Sequence, residues 1–205
     1  MIQALQALFK GFTTSRQPNL DPKKIYRFDK SRKAFHIDVR IGVYRDIYND
    51  FDFSPLQNRD LDKDLIEYLA ECSYEIPLKN QVIVNFYMPQ GIRDRSREQN
   101  SVKGFHHYFL YTQRKLHTER RELLRNLTLY GFSGFLFLVF AYLTQEHLST
   151  SGLLSILPEG LYIGGWVLLW EIFEVIFFTL RQINRKIRIY KRLSESEILY
   201  HYTAE

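Results

Sequence analysis

The sequence predicts an α+β fold: a small cytoplasmic domain of two or three strands, joined by a long helix to an antiparallel two-helix transmembrane hairpin. Three observations predict it. Two long stretches are almost entirely apolar, basic residues flank them on one side only, and two short stretches alternate between apolar and polar residues. The chain has 205 residues, which is enough for one modest domain beside the hairpin.

The stretch Leu161 to Leu180 has twenty residues and no Lys, Arg or Pro. At about 1.5 Å per residue a helix of this length spans about 30 Å, the thickness of the hydrocarbon core of a bilayer. Leu127 to Leu143 adds seventeen residues without a formal charge. We therefore predict a hairpin over 127–180, with spans at 127–144 and 161–180. The alternative is a pair of buried core helices in a water-soluble protein.

Basic residues set the orientation of this hairpin. The connection 145–160 contains no Lys or Arg. By the positive-inside rule both termini are cytoplasmic and the connection lies outside. The flanking residues are five before the first span and six after the second: Arg114, Lys115, Arg120, Arg121, Arg125, Arg181, Arg185, Lys186, Arg188, Lys191 and Arg192.

The net charge of +5 comes largely from these flanks. With two spans adjacent, topology and contact with lipid headgroups explain the charge more simply than nucleic acid does. We expect the lipid bilayer as a partner and no specific nucleic acid. The single cysteine, Cys72, excludes an intrachain disulfide. No cleavable signal peptide is evident, so the first span is expected to direct insertion.

Residues 1–33 are predicted to be an amphipathic segment followed by a polar linker. Met1 to Phe12 places apolar residues at helical spacing. Such a segment lies on the membrane surface or docks on a partner, and the alternative is a frayed terminus.

Residues 34–100 are predicted to form the α+β domain. Ala34 to Ile41 alternates as a half-buried strand does, and Gln81 to Met88 is the second strand. Between them we expect a short helix over Gly42–Asp50. A longer helix follows, capped by Asp62 and ended by Ile76-Pro77, with its apolar face formed by Leu65, Ile66, Leu69 and Cys72. The segment after Met88, up to Asn100, is charged and predicted to be mobile.

Residues 101–126 are predicted to be the connecting helix, because Ser101 to Gln145 contains no Pro. Residues 181–205 should form a basic amphipathic helix and then a strand over Ile198–Tyr202, or else a frayed terminus. A two-stranded sheet is marginal alone. The sheet therefore needs either this C-terminal strand or a second subunit.

Two carboxyls, Glu171 and Glu174, lie within the second span. Each costs about 2.5–3.5 kcal/mol at a bilayer centre on insertion scales, so neither is expected to face lipid. Helical spacing places Gly160 and Gly164 on the same face. We predict that this face packs against Gly131, Ser133 and Gly134 of the first span, or lines a subunit interface. The carboxyls then act as hydrogen-bonded contacts between helices, or as an ion or proton path.

An acidic cluster before and within the second helix is the other candidate for chemistry. Its carboxylates are expected to cap helices and loops, with divalent metal binding as the alternative: Asp46, Asp50, Asp52, Asp60, Asp62 and Asp64. His106 and His107 point about 100° apart on a helix and do not readily share one metal. No nucleophile elbow, P-loop, zinc-protease or dinucleotide motif is present. We predict no catalytic residue, no metal and no cofactor.

The run EGLYIGGWVLLWEIFE resembles the second span of a group of uncharacterised bacterial two-span inner-membrane proteins, in which a motif of the form EGL…GWV..W….E precedes a basic helix. The segment SPLQNRDLD is similar to their cytoplasmic part. This resemblance implies a multi-pass protein of the bacterial inner membrane with a small cytosolic domain and no known activity.

The sequence thus predicts a non-enzymatic, membrane-anchored interaction or effector module that oligomerises through its hairpin. Its cytoplasmic domain is expected to bind a protein or a small molecule that the sequence does not identify. One alternative is a small ion- or proton-conducting oligomer that uses Glu171 and Glu174. Another is a membrane enzyme that uses the aspartate cluster.

Overall fold

The computed structural model of the chain describes residues 21–55, 58–148 and 156–203. The segment predicted for Met1–Phe12 and residues 149–155 of the predicted outer connection lie outside these residues. Five α-helices are described: α1 (Pro22–Ile25), α2 (Lys63–Glu75), α3 (Arg95–Leu148), α4 (Ile156–Glu174) and α5 (Leu180–Ser194). The strands are β1 (Phe28–Asp29), β2 (Ala34–Arg40), β3 (Gln81–Pro89) and β4 (Glu197–Thr203). Two 3₁₀ helices, Tyr44–Ile47 and Gln90–Ile92, and a π-helical turn, Val175–Thr179, complete the elements.

The strands form one mixed sheet in the order β1-β2-β3-β4. Strands β2, β3 and β4 are parallel, with Val84 opposite Ile198, and β1 is antiparallel to β2. The α+β class is confirmed, and the C-terminal tail is a strand rather than a frayed end. The sheet has four strands, not two or three, because Phe28–Asp29 in the predicted linker pairs with β2. Two residues are too few to show a period in the sequence.

One face of the sheet forms a buried core with α2 and with the ends of both long helices. The core includes Phe35, Ile37, Val82, Val84, Phe86 and Met88 from the strands, and Leu69, Cys72, Phe105, Phe109, Ile189 and Leu193 from the helices. We call the strands, α2 and these parts of α3 and α5 the sheet domain. The long helices are therefore part of its core rather than tethers to it.

Helix α2 matches its prediction closely. The Asp62 side chain accepts hydrogen bonds from the backbone N–H groups of Asp64 and Leu65 at 3.0 and 3.1 Å. A carboxylate at this position satisfies donors that the first turn leaves free. The helix ends at Glu75, before Ile76-Pro77.

Helix α3 begins at Arg95, six residues earlier than predicted. The Asp94 side chain accepts hydrogen bonds from the backbone N–H groups of Ser96 and Arg97 at 2.9 and 3.1 Å, which caps the first turn. The segment predicted to be mobile instead forms a 3₁₀ helix, Gln90–Ile92, and this first turn. With 54 residues, α3 extends about 80 Å and reaches far beyond the sheet domain.

The distal half of α3 packs antiparallel against α4, which confirms a hairpin of two long helices. Both are long and apolar enough to cross a membrane, over Arg95–Gln145 and Ile156–Ser194. We call the apolar parts of α3 and α4 the hairpin. The π-helical turn after Glu174 preserves this contact. Val175 and Ile183 are both buried. In a regular α-helix, side chains eight residues apart point about 80° away from each other. The π-helical turn has more residues per turn, so it reduces this angle and keeps both side chains on the packed side.

Candidate functional sites on the hairpin and the outer sheet face

The hairpin closes on two glycines, Gly134 of α3 and Gly165 of α4. A Cβ atom added to Gly165 would lie 2.7 Å from Leu138 Cδ2 and 3.0 Å from the carbonyl oxygen of Gly134. A Cβ atom on Gly134 would lie 3.2 Å from the carbonyl oxygen of Gly165. Any side chain here would push the two backbones apart. These glycines therefore permit the close approach of the helices.

The other glycines singled out in the sequence differ in their surroundings. A Cβ atom on Gly131 would meet Ile172 at 3.3 Å, and one on Gly164 would meet Phe137 at 3.3 Å. Gly160 has nothing within 4 Å. The contact line of α4 thus runs through Gly165, which lies about 100° from Gly164 and about 140° from Gly160 on the predicted face. The adjacent glycines 164 and 165 indicate a close helix contact in the sequence. Their spacing alone does not show whether the face of Gly164 or that of Gly165 makes the contact.

The two carboxyls singled out in the second predicted span, Glu171 and Glu174, lie away from this contact line. The Glu174 side chain is exposed, and Glu171 is half-buried at the flank of the helix. Around Glu174 lie exposed apolar side chains, among them Trp170 at 73% and Val167 at 62%. The structure therefore does not bring the carboxyls against the glycines of α3. The alternative drawn from the sequence, that this face lines a subunit interface, stays a prediction.

Within the part of the chain that the structure describes, the two carboxyls have no charged partner in the same copy. Among the described residues, neither Glu171 nor Glu174 forms an ion pair, and Arg181 does not reach Glu174. Arg125, which is exposed on α3, has no acidic partner in the same set. The hairpin surface thus carries both signs of charge, unpaired.

A second cluster, which the sequence analysis did not assemble, lies on the outer face of the sheet. Its centre is the fully buried Asn85 of β3. The amide Nδ2 donates to Asp38 Oδ1 at 2.7 Å and to His36 Nδ1 at 3.0 Å, and the amide Oδ1 accepts from His201 Nε2 at 3.1 Å. One side chain therefore links β2, β3 and β4 across the sheet.

These contacts assign the ring protons. His36 Nδ1 accepts from both Asn85 and Arg27, so the neutral His36 ring carries its hydrogen on Nε2. His201 donates from Nε2 and stacks on Tyr87, with ring centroids 4.9 Å apart. The half-exposed side chains of His36, Tyr87 and His201 offer donors and acceptors side by side. Such a surface suits a polar partner. The signal in the sequence was one amide inside the otherwise apolar run QVIVNFYM.

The side chain of Arg192 fixes the end of α5 to the sheet domain. The Arg192 guanidinium of α5 donates to the carbonyl oxygens of Ile76 and Pro77 at 3.2 and 3.1 Å and bonds Ser73. It thereby caps the C-terminus of α2. Burial, followed by the nearby charge of Arg185, lowers the pKa of Arg192 to about 10. Arg192 therefore serves the fold as well as the basic flank.

Three of the six aspartates, Asp46, Asp52 and Asp62, accept hydrogen bonds from the local backbone, and Asp50 pairs with Arg45 at 3.0 Å. Asp46 accepts hydrogen bonds from the N–H groups of Gly42 and Val43, and Asp52 accepts from those of Ser54 and Asp60. The bond from the Asp60 backbone, followed by those from Ser54, lowers the pKa of Asp52 to about 2. Within residues 21–55, 58–148 and 156–203, no three His, Cys, Asp or Glu side chains lie close enough to hold a metal ion.

The adjacent histidines of α3, His106 and His107, have separate surroundings. His106 is half-buried against the end of α5, and His107 is exposed.

Comparison with models of known protein families, with curated proteins and with solved structures finds no match to this chain.

Proposed function

We propose that this protein is a membrane-anchored interaction module. The hairpin spans a bilayer and assembles with other copies, and the sheet domain presents its outer face to a partner on the cytoplasmic side. One observation carries the proposal: the apolar surface of the hairpin is turned outward. In the apolar 18-residue stretch of each long helix, the buried share is only 17% for Arg95–Gln145 and 11% for Ile156–Ser194.

This exposure argues against a water-soluble helix pair. A core helix hides its apolar side chains, and soluble monomers seldom expose contiguous apolar patches beyond about 600 Å². Here aromatic and aliphatic side chains project all along both helices, and among those more than 60% exposed are Phe132, Phe135, Tyr142, Leu143, Ile163, Trp166, Trp170, Phe177 and Phe178. Lipid tails cover such a surface without further contacts.

The charges support a cytoplasmic sheet domain. The basic flanks lie at the end of the hairpin from which both helices enter the domain, and the opposite connection carries no Lys or Arg. The positive-inside rule places that basic end in the cytoplasm. The resemblance noted from the second-span motif further supports the bacterial inner membrane as the location.

The interaction role is supported by the outer sheet face and by the way the helices enter the domain. Arg27, Arg40 and Tyr87 stand around the Asn85 network. This surface of mixed charge suits a protein or a polar small molecule. Because α3 and α5 contribute core residues to the domain, the position of the hairpin and that of the outer face are linked.

Membrane insertion and topology are tested together with single cysteines in a Cys72→Ser background. Ser151→Cys lies in the connection and Ser96→Cys at the start of α3. In intact cells, a membrane-impermeant maleimide should label position 151 and leave 96 unlabelled until lysis, and the protein should resist carbonate extraction. Release into the carbonate supernatant, or labelling of 96 before lysis, would contradict the proposal.

A second candidate, an ion- or proton-conducting oligomer, is favoured by one observation. Glu171 and Glu174 both lie off the contact with α3, so they are open to neighbouring copies. Flux into liposomes that is abolished by Glu174→Gln would support conduction. Intact assembly without any flux would support the anchor instead. An enzyme based on the aspartate cluster is less favoured, since Asp46, Asp52 and Asp62 already accept hydrogen bonds from backbone amides.

A further inference from the structure

We infer that the hairpins assemble head to tail, with the outer edge of α4 in one copy against the outer edge of α3 in the next, and with Glu174 paired across this contact with Arg125 of its neighbour. The inference rests on the proposed membrane position of the hairpin. Its occupant is a second copy of this chain, in the same orientation.

The first support is angular. On α3 the contact with α4 runs through Leu127, Gly131 and Gly134, and Arg125 falls about 160° from that line. On α4 the contact runs through Gly165 and Ile172, and Glu174 falls about 180° from it. The two charges therefore occupy opposite edges of the flat hairpin. Both side chains are exposed, as these angles require.

The second support is depth. Gly131 lies beside Ile172, and Gly134 lies beside Gly165. Continuing this antiparallel register places Arg125 level with the π-helical turn, about one helical turn from Glu174 along the axis. A neighbouring copy in the same orientation carries its Arg125 at that same level. The separation is within the reach of an extended arginine side chain.

The third support is electrostatic. A carboxylate in the apolar part of a bilayer is expensive, and intramembrane charges usually pair or face a polar interior. Glu174 has no ion pair within one copy among the described residues. An arginine carries its charge at any pH and forms two parallel hydrogen bonds with a carboxylate. Arg125 therefore satisfies Glu174 without displacing any contact within the hairpin.

A two-fold contact between α4 helices is less favourable. It would place Glu174 against Glu174, and two adjacent carboxylates cannot both be ionised cheaply. A head-to-tail contact instead repeats the same Glu174–Arg125 pair at each interface, and it forms a ring where the rotation between copies closes.

Disulfide cross-linking in native membranes tests this geometry. In a Cys72→Ser background, the chain with both Glu174→Cys and Arg125→Cys should give a ladder of covalent species beyond the dimer after mild oxidation. Each single-cysteine chain should remain monomeric on the denaturing gel. A covalent dimer from Glu174→Cys alone would show the two-fold contact and overturn the inference.

Charge reversal adds a test that does not need cysteines. Glu174→Arg and Arg125→Glu should each raise the dissociation constant in bilayers, measured by energy transfer between labelled copies, by at least about tenfold. The double reversal should return within about threefold of the parent chain. Glu71→Arg, at an exposed position on α2, is the matched control and should leave the constant unchanged. Equal weakening in the single and double variants would overturn the pairing.

The outcome separates this inference from the proposed function. A protein recovered without detergent would remove both. A membrane protein that assembles, but gives no Glu174–Arg125 cross-link and no rescue by double reversal, would remove the head-to-tail contact and leave the anchored module standing.

Discussion

The imidazole of His106 donates its Nδ1 hydrogen to the carbonyl oxygen of Ser194 at 2.6 Å. Since a carbonyl only accepts, this contact assigns the hydrogen to Nδ1. It joins α3 to the last residue of α5, where a helix leaves carbonyl groups without partners. The two long helices, which pack together in the hairpin as α3 and α4, are thus joined a second time inside the sheet domain, between α3 and α5.

We expect His106→Ala to lower the free energy of unfolding of the sheet domain by about 1–2 kcal/mol, because it removes this bond and leaves a part-buried carbonyl unsatisfied. His107→Ala is the control, since the neighbouring ring is exposed. Denaturant unfolding in detergent, followed by far-ultraviolet circular dichroism, measures both. Equal losses would show that the Ser194 contact is not what His106 contributes.

Arg192→Met should destabilise the sheet domain by about 2–4 kcal/mol. The change leaves the carbonyl groups of Ile76 and Pro77 without their charged donor. Arg192→Lys should recover only part of the loss, because an ammonium cannot form the same fork of hydrogen bonds. Lys191→Met, one residue earlier and exposed, controls for loss of charge. The readout is the midpoint of urea unfolding, and a full recovery by lysine would argue against the fork.

Gly165→Ala should loosen the hairpin, because the new methyl group meets Leu138 and the backbone of α3. Gly160→Ala should leave the contact intact, since nothing lies within 4 Å, and alanine favours the helix by about 1 kcal/mol relative to glycine. Paired cysteines placed across the hairpin report the change as a slower rate of disulfide formation. If Gly160→Ala slowed the reaction as much as Gly165→Ala, the contact line would not run through Gly165.

Asn85→Ala should lower the free energy of unfolding of the sheet domain by about 2–3 kcal/mol. The polar groups of His36, Asp38 and His201 would lose a shared and fully buried partner. Gln81→Ala, an exposed change on the same strand, is the control. Nitrogen-15 spectra of the histidine rings should shift for His36 and His201 and remain unchanged for His107. Unchanged rings would mean that the network does not hold them.

The loop around Asp52 should respond to acid. The folded-state pKa of about 2 lies below the ordinary value of 3.8, so the bonds to Ser54 and Asp60 contribute fully above about pH 4 and are lost as the pH falls toward 2. In a titration by nuclear magnetic resonance, the amide of Asp60 should shift with a midpoint near this pKa. Asp52→Asn should abolish that step. A midpoint near 4 in the parent chain would contradict the bonding.

The hydrophobic period and the helix-ending residues of the sequence were sufficient for β2, for α2 and for the presence of the two long helices, although α3 begins six residues before its predicted start. The alternation over β2, the Asp62 cap and the lack of proline after Ser101 are local signals, and local physics decides those elements. The two-residue β1 gave no such signal. Its pairing depends on the position of β2 in the folded sheet.

The faces of the hairpin were harder to predict. The face of α4 that packs on α3 was placed about 100–140° from where it lies, because the line through Gly160, Gly164 and the two carboxyls was taken as the packing face. The partner helix sets that angle, and the local sequence does not. The Asn85 network was missed for a similar reason. Its members come from three strands, and β4 lies more than a hundred residues after β3.

The helix α3 runs without interruption from Phe109 in the core of the sheet domain to Gly134 at the glycine contact. If the hairpin spans a bilayer as proposed, α3 has no hinge between the bilayer and the sheet domain. A thinner or thicker lipid layer changes the tilt of a spanning helix. This protein would transmit such a tilt as a rotation of the whole outer face, so that lipid composition itself would alter which surface the partner meets.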